Sequence, residues 1–514
     1  MVEQSIPPIL RPDNPNRVTL AQLANELTVN IHSGNPETLL TGVSMNTSDL
    51  RAGDIFFAMP GLKTHGAKFI SQALSQGAVA IATDADGLKL AGEIAAPLIN
   101  VENPRLRLGQ ASRFVYGNNG PDMPKMYGVT GTNGKTSTAH FLSAIFRQLG
   151  KVPGMSSSVE RHLADEIIIS RLTSPEAPES HALIARMREH GVTDVGWEVS
   201  AQALRQHRVD GIFFDVVAFT NLSHDHFDEF SSYEEYLAAK MPLFHKVRAG
   251  KGVVCLDTDF GQPFLKASEV PCITVTLRSD VESDWKVVVT REDVGLTAFD
   301  LMGPAGEKIS SSVPIIGDYM ASNASVAILM ALQAGYSWQQ LAKALANGIA
   351  APIAGRGDNV APPGAPSVYV DFGHTPDSIE MTIKAVRKVT KGKLVVVVGL
   401  DGDRDKLKRP MIGAICARLS DAMIVTDHNP RFEDPAVIRQ MIYEGAIAER
   451  PEHDIRNLEG PERAIRIAVS MVGKGDTIIW FGPGHQEHRD IMGVRTKYSG
   501  REQARQALAE AGWK

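Results

Sequence analysis

The run "GVTGTNGKTSTAHF" sets Gly128, Gly131 and Gly134 directly before a lysine and a threonine. Glycines let backbone N–H groups approach phosphate oxygens, and the start of a helix adds partial positive charge. Lys135 would pair with the terminal phosphates of a nucleotide, and the Thr136 hydroxyl would help hold Mg²⁺. The spacing is not a strict G-x-x-x-x-G-K-[ST], because Val129 takes the first glycine position. A glycine turn that merely opens a helix has no need of an intact Gly-Lys-Thr, so the chemistry expected here is nucleoside triphosphate binding.

A short strand must deliver this loop and a helix must follow it. Phe141, Ile145 and Leu149 recur every four residues and predict one apolar helix face, and Gly150 suits its C-terminal cap. In the last third of the chain, apolar runs repeatedly stop at polar clusters. "VYVD" leads to Gly373 and His374, and "LVVVV" leads to Asp401–Asp405. "AMIVT" leads to Asp427, His428, Asn429 and Arg431, and "TIIWF" leads to Gly482–His485. Ligands bind outside the carboxyl ends of strands in open parallel sheets, so four such clusters predict a ligand-facing edge. Within "TDHNPR", Asn-Pro makes a turn, and the charged residues around it could hold a charged ligand, with an ordinary loop as the alternative.

A chain of 514 residues exceeds one hydrophobic core, and roughly two to four domains are expected. Two breaker-rich seams, "YGNNGPDMP" and "APIAGRGDNVAPPGAP", divide it into 1–121, 122–351 and 352–514. Between them, β-branched runs alternate with amphipathic stretches, the pattern of α/β parallel sheets. A net charge of −6 offers no basic field to nucleic acid or an anionic membrane. Cys255, Cys272 and Cys416 lack metal or redox spacing. The start, "MVEQSIPPILRPDNPNR", has no apolar signal segment and reads as a flexible lead-in. No apolar run is long enough to span a bilayer, and a cytoplasmic monomer is expected.

Several further motifs bear on the activity: "GWEVSAQALRQHRVDG", "FTNLSHDHFDEFSSYEEYLAAKMPLF", "RLTSPEAPES", "GDYMASNASVAILMAL" and "AGRGD". With "TGTNGKT" at Thr130 to Thr136, they resemble the Mur ligase family over nearly the whole chain, least in about the first hundred residues and in 277–313. The resemblance implies an N-terminal domain that binds a UDP-linked precursor, a central P-loop ATPase domain and a C-terminal Rossmann-like domain that receives an amino acid. It implies an ATP-dependent, ADP-forming ligase acting in peptidoglycan precursor synthesis. A peptide carboxylate of UDP-MurNAc-L-Ala-D-Glu is phosphorylated, and the amine of a diamino acid attacks the acyl phosphate.

By the same resemblance, Gly131, Thr132, Asn133, Gly134, Lys135, Thr136 and Ser137 hold ATP together with Asn323, Arg356 and Asp371. Lys135, Glu198, His226 and Lys240 form the catalytic set. Thr136, Glu198 and His226 would bind Mg²⁺, His226 being a metal ligand or a carboxylate neighbour, and Lys240, once carbamylated, would bind a second ion. Thr47, Thr173, Ser174, Ser200, Gln206 and Arg208 match positions that meet the UDP-MurNAc-dipeptide, although Thr173 and Ser174 read equally well as helix caps. Arg404, His428, Asn429, Arg431, Gly482 and Gln486 fall in loops that receive the amino acid.

Family members that add meso-diaminopimelate carry D-N-P-R and G-x-G-H-E in the last two loops, whereas this chain has His428-Asn429-Pro430-Arg431 and Gly482-Pro483-Gly484-His485-Gln486. Arg431 suits a second carboxylate. His428 and Gln486 remove both acids expected around the far ammonium, and Glu487 and Asp427 are the acids nearest in sequence. Diaminopimelate is the first expectation, with L-lysine or L-ornithine next. Folylpolyglutamate synthetase has a similar glycine loop, but Arg431 and "RQHRV" favour the Mur branch. A P-loop kinase or GTPase would not need Glu198, His226 and Lys240. A non-catalytic paralogue that binds nucleotide or UDP-precursor in a regulatory or scaffolding role is the alternative. It is motivated by departures at Asn46, Ser48, Ala201, Gln202, Met320, His428 and Gln486.

Overall fold

The computed structural model describes residues 9–61 and 63–513. The first part of the lead-in, 1–8, lies outside the described residues. The chain builds three α/β sheets in sequence. In the central one, strands Pro153–Ser156, Asp194–Glu198, Lys125–Thr130, Phe214–Phe219, Ala249–Cys255 and Cys272–Thr276 lie side by side and parallel. Their Val, Ile and Phe side chains are buried on both faces, as parallel sheets covered by helices require.

The sheet's rims are antiparallel. Glu160–Leu163 pairs antiparallel with Glu166–Ile169, and Trp285–Asp293, Leu296–Met302 and Lys308–Val313 form an antiparallel meander. Only short turns join these strands, too short for the crossover that parallel pairing needs. Helix Lys135–Gln148 follows the glycine loop. The helix is buried on almost every side because helix Asp318–Gln333 covers the flank away from the sheet.

The N-terminal sheet orders Ile31–Ser33, Leu98–Asn100, Ala80–Thr83, Asp54–Ala58 and Gly42–Ser44, with only the first pair antiparallel. Its core takes in Ala177, Ala182 and Ala185 of the central helix Ala177–Glu189. The flexible lead-in expected from the sequence is anchored from Ile9 onward. Arg11 donates to both Asp54 oxygens at 2.6 and 2.8 Å. The N–H groups of Asp13 and Asn14 donate to the Glu189 carboxylate at 2.8 and 2.7 Å. Side-chain and carboxylate bonds hold this coil where no strand or helix does.

In the C-terminal sheet the order is Asp358–Asn359, Ser367–Asp371, Thr477–Phe481, Leu394–Val398, Ala422–Val425 and Ile455–Asn457. All pairs but the first are parallel, and Asp371, Val398 and Val425 end level with one another around Phe481. That register brings the four polar clusters to one edge, which faces the glycine loop of the central domain. A hairpin, His488–Ile491 with Val494–Lys497, closes one side. Among the described residues no helix is long and apolar enough to cross a membrane.

Candidate active site

The glycine loop leaves strand Lys125–Thr130 and is braced by the chain that follows the neighbouring strand. Asn133 N–H donates to Asn221 Oδ1 at 2.9 Å, Thr220 Oγ1 donates to the Asn133 carbonyl at 2.6 Å, and Thr132 N–H donates to the Asn221 carbonyl at 2.9 Å. Gly134 has φ +87, and a Cβ there would lie 2.3 Å from Asn323 Oδ1. Glycine is therefore required twice over, by backbone conformation and by the helix packed against it. This contact also sets Asn323 beside the loop.

The two lysines converge beneath it. Lys135 Nζ donates to the carbonyls of Gly131 and Thr132 at 2.9 and 2.7 Å, and Lys240 Nζ donates to Gly131 at 3.0 Å. Lys240 ends helix Tyr233–Lys240, is fully buried, and lies 4.0 Å from the centre of the Tyr236 ring. Burial, and after it the nearby Lys135 charge, pushes its ammonium well below the ordinary lysine range. Strand, loop and helix all cover this lysine.

Glu198 ends strand Asp194–Glu198 and is fully buried, its carboxylate accepting from Ser158 N–H and Oγ, each at 2.9 Å. The Gln202 amide lies 2.9 Å from Nδ1 of His226, and Nε2 of the same ring lies 3.4 Å from Asp225. Burial pushes this imidazole down to about 4 despite Asp225 beside it. His226 thus has Asp225 on one ring nitrogen and Gln202 on the other. Among the described residues no three His, Cys, Asp or Glu side chains gather closely enough to hold a metal ion.

Asp225 ties the central domain to the C-terminal one. Lys408 donates to it at 2.9 Å, and His374 Nε2 lies 3.5 Å away. Burial works to raise the Asp225 carboxyl, but Lys408 and His374 hold it well below the ordinary carboxylate range. Beside this clasp, His224 faces Asp405 at 3.1 Å, Asn133 Nδ2 donates to Thr375 Oγ1 at 3.2 Å, and Arg356 donates to Thr136 Oγ1 at 3.2 Å. Arg356 also stacks on Phe372. Asp371 accepts from the N–H groups of Gly357 and Gly373, both at 2.6 Å, and burial raises its carboxyl. None of these cross-domain partners follows from local sequence.

One continuous cavity of about 1280 Å³ joins the glycine loop to the carboxyl edge of the C-terminal sheet. Of the predicted residues, Thr132 to Ser137, Thr173, Glu198, Ser200, Gln206, Arg208, His226, Asn323, Arg356, Asp371, Arg404, His428, Asn429, Arg431, Gly482 and Gln486 line it. Gly131, Thr47, Ser174 and Lys240 do not. Gly131 and Lys240 lie just behind the loop. Ser174 is fully buried, its hydroxyl donating to the Glu198 carbonyl at 2.9 Å, so it positions Glu198 rather than presenting itself to the cavity. Thr47 opens the short turn Thr47–Asp49, which is capped by Asn46, and it is the neighbour Asp49 that reaches the cavity lining through Arg171 at 2.9 Å. Ser200 caps helix Ala201–Arg205, and Arg208 pairs with Glu176 at 2.9 Å.

At the C-terminal edge, Arg431 pairs with Asp401 at 2.8 Å, and His428 Nε2 lies 3.4 Å from the same carboxylate. Asn429 donates to Gln486 Oε1 at 2.6 Å, and Arg404 is exposed at the rim. Glu487 is occupied by Arg501, and Asp427 by Arg439 and Gly460 N–H, so neither acid nearest in sequence faces the cavity free. Asp401, two residues before Asp403-Arg404, lines the cavity at this edge with one oxygen on Arg431 and the other toward His428, a role that no motif had given it. Its place at the end of one of the four strand-terminal runs was the signal.

The chain matches the Mur ligase middle domain over residues 129–331, the Mur ligase glutamate ligase domain over 355–484 and the Mur ligase family catalytic domain over 39–116. It is 44% identical to a UDP-N-acetylmuramyl-tripeptide synthetase of Leifsonia xyli subsp. xyli, covering 99% of both chains. It is 37% identical to a UDP-N-acetylmuramoyl-L-alanyl-D-glutamate–2,6-diaminopimelate ligase of Streptomyces coelicolor, covering 97% of this chain and 98% of that one. A solved structure of a ligase with the same 2,6-diaminopimelate name shares the fold, with TM-score 0.66 and 23% identity over 97% of this chain and 100% of the other.

Proposed function

This chain belongs to the Mur ligase family, and from that premise we propose that it is the ATP-dependent, ADP-forming ligase that adds a diamino acid to UDP-MurNAc-L-Ala-D-Glu in the cytoplasm. Relatives matched along their whole length are named as ligases and synthetases, and none supports a non-catalytic paralogue. The observation that carries the reading is the single cavity running from Lys135 and Thr136 to Asp401 and Arg431. Such a cavity lets a phosphoryl donor and an incoming amine approach one carboxylate from two domains. Meso-diaminopimelate is the first candidate, because Arg431 offers a fork to a second carboxylate, with L-lysine and L-ornithine next.

In this reaction the terminal carboxylate of the dipeptide takes the γ-phosphoryl group, and the amine then displaces phosphate. We assign the loop Gly131 to Ser137 to the nucleotide phosphates, and Asn323, Arg356 and Asp371 to its remainder. The four-carbon stem of Lys135 lets its ammonium turn from the loop carbonyls to the terminal phosphates. Arg208, Gln206, Ser200 and Thr173 face the dipeptide in this reading, and Thr47 the UDP portion. Arg404 at the rim takes the amino acid's α-carboxylate. We assign the precursor, ATPase and amino-acid roles to 1–121, 122–351 and 352–514, acting as a monomer.

Mg²⁺ fits the oxygen donors on this wall. It needs few protein ligands when phosphate and water supply the rest, and Thr136 Oγ1 and the Glu198 carboxylate both line the cavity. When bound, it would offset the charge gathered on the phosphates and the attacking carboxylate. His226 would join through Nε2 with the Gln202 amide oxygen accepting from its Nδ1–H. Lys240 is the group we assign to carbamylation: a neutral amine adds to CO₂ and loses a proton, and burial favours the neutral amine.

The test is ADP release by purified protein with ATP, Mg²⁺, UDP-MurNAc-L-Ala-D-Glu and each amino acid in turn. Release that depends on one amino acid, with the tripeptide found by mass, supports the reading. ATP binding without amino-acid-dependent turnover would sink it.

A further inference from the structure

Both acids expected around a far ammonium are replaced in this chain, yet the cavity is not without one. Asp401 follows strand Leu394–Val398 and stands between Arg431 and His428. Its two oxygens are not equivalent. Oδ2 accepts from Arg431 at 2.8 Å, whereas Oδ1 is buried and faces His428 Nε2 at 3.4 Å without completing a hydrogen bond among the described residues. A buried carboxylate oxygen left unmatched is costly, and one in a cavity wall marks where a ligand's donor belongs.

The guanidinium beside it is held by more than this ion pair. Arg431 has φ +51, a conformation that L residues adopt rarely. It is kept there by two backbone bonds to the hairpin, Arg431 N–H to the Asp490 carbonyl at 3.1 Å and Met492 N–H to the Arg431 carbonyl at 2.7 Å. Asp401 and Arg431 therefore present opposite charges at one spot in the cavity. An amino-acid end carrying both an ammonium and a carboxylate is the complement of that pair, its carboxylate toward the guanidinium and its ammonium toward Oδ1. A side chain ending in an ammonium alone matches only Asp401.

We propose that Asp401 is a specificity-determining residue that reads the far ammonium of the incoming diamino acid, and that with Arg431 it selects one whose far end is zwitterionic. The proposal rests on the ligase reading above. It assigns to position 401 the charge that His428 and Gln486 lack, and it makes the Asp401–Arg431 pair one that opens to admit substrate.

Asp401→Asn and Arg431→Met are compared with the parent by steady-state ADP release, with meso-diaminopimelate or L-lysine varied and the other substrates saturating. Where L-lysine gives no turnover, its inhibition constant against diaminopimelate replaces KM. Asp401→Asn should raise both constants at least tenfold, with kcat and the KM values for ATP and UDP-precursor within about twofold of the parent. Arg431→Met should raise the constant for diaminopimelate alone, and Asp401→Glu should restore part of what Asp401→Asn loses. Melting temperature and affinity for a non-hydrolysable ATP analogue verify that each variant is folded. A folded, active Asp401→Asn protein with unchanged constants for both amino acids overturns the role of Asp401. A tenfold effect of Asp401→Asn beside an Arg431→Met protein unchanged toward diaminopimelate overturns the paired selection. Absence of amino-acid-dependent turnover in the parent protein fails the ligase reading instead, and equilibrium binding of radiolabelled diaminopimelate to parent and Asp401→Asn then decides the proposal by the same tenfold criterion.

Discussion

Lys135 and Lys240 donate to one acceptor, the carbonyl oxygen of Gly131, at 2.9 and 3.0 Å. Two ammonium groups sharing one oxygen in a buried space repel each other, and the more deeply buried gives up its proton more readily. The arrangement gives Lys240 a chemistry that position on a helix would not.

Replacing Lys240 by alanine should lower kcat by at least about a hundredfold, the scale of losing a charged group that offsets charge on the reacting phosphoryl centre. ADP release should return in part on adding formate or acetate, small carboxylates able to enter the space left behind. Loss without any rescue would argue against a carbamate at this position.

The same lysine should leave a mark on stability. With its folded pKa depressed below 10.5, the unfolded chain binds more protons over the interval between the two values. Stability should therefore rise with pH across that interval, at up to about 1.4 kcal/mol per pH unit. Lys240→Met, compared with the parent in bicarbonate-free buffer, should flatten this rise between neutral pH and pH about 10, as read from urea midpoints. Parallel profiles for the two proteins would show that the lysine is charged in the folded state.

Gly134→Ala should cost about 1–2 kcal/mol from the positive φ alone, and more because the new Cβ meets Asn323 Oδ1 at 2.3 Å. Affinity for an ATP analogue should fall with it, measured by titration calorimetry. Gly134→Ala in an Asn323→Ala background should recover only the part of the loss due to the clash.

Asp225→Asn should destabilise the protein by roughly 3–5 kcal/mol, since it leaves the buried Lys408 without its partner. Adding Lys408→Met should return part of that loss, and a double-mutant cycle on denaturant midpoints measures the coupling. As pH falls, the Asp225 contribution should be intact down to about its unfolded value of 3.8 and disappear only as pH drops through the lower folded one.

The glycine loop was legible because its chemistry is local: backbone, lysine and threonine lie within a few consecutive residues. The four strand-end clusters were legible because each apolar run announces its own end. The role of Asp401 was not, because its partners His428 and Arg431 lie in the loop after another strand, and only the register of Val398 with Val425 makes them neighbours. Arg11, in a segment of no regular structure, gave no periodic signal, although its bond to Asp54 is among the more buried ion pairs. Ser174 read equally as a substrate contact or a helix cap, because a hydroxyl before a helix says nothing of which way it faces.

The hairpin that supports Arg431 bears on how amino-acid choice can be inherited or transferred. The loop 426–435 looks self-contained in sequence, but Arg431 keeps its unusual backbone only while Asp490 and Met492 grip it, and its carboxylate partner comes from a third segment. Grafting the loop alone from a relative would import the arginine without its mounting. The unit that has to move together is three discontinuous segments, around positions 401, 431 and 490.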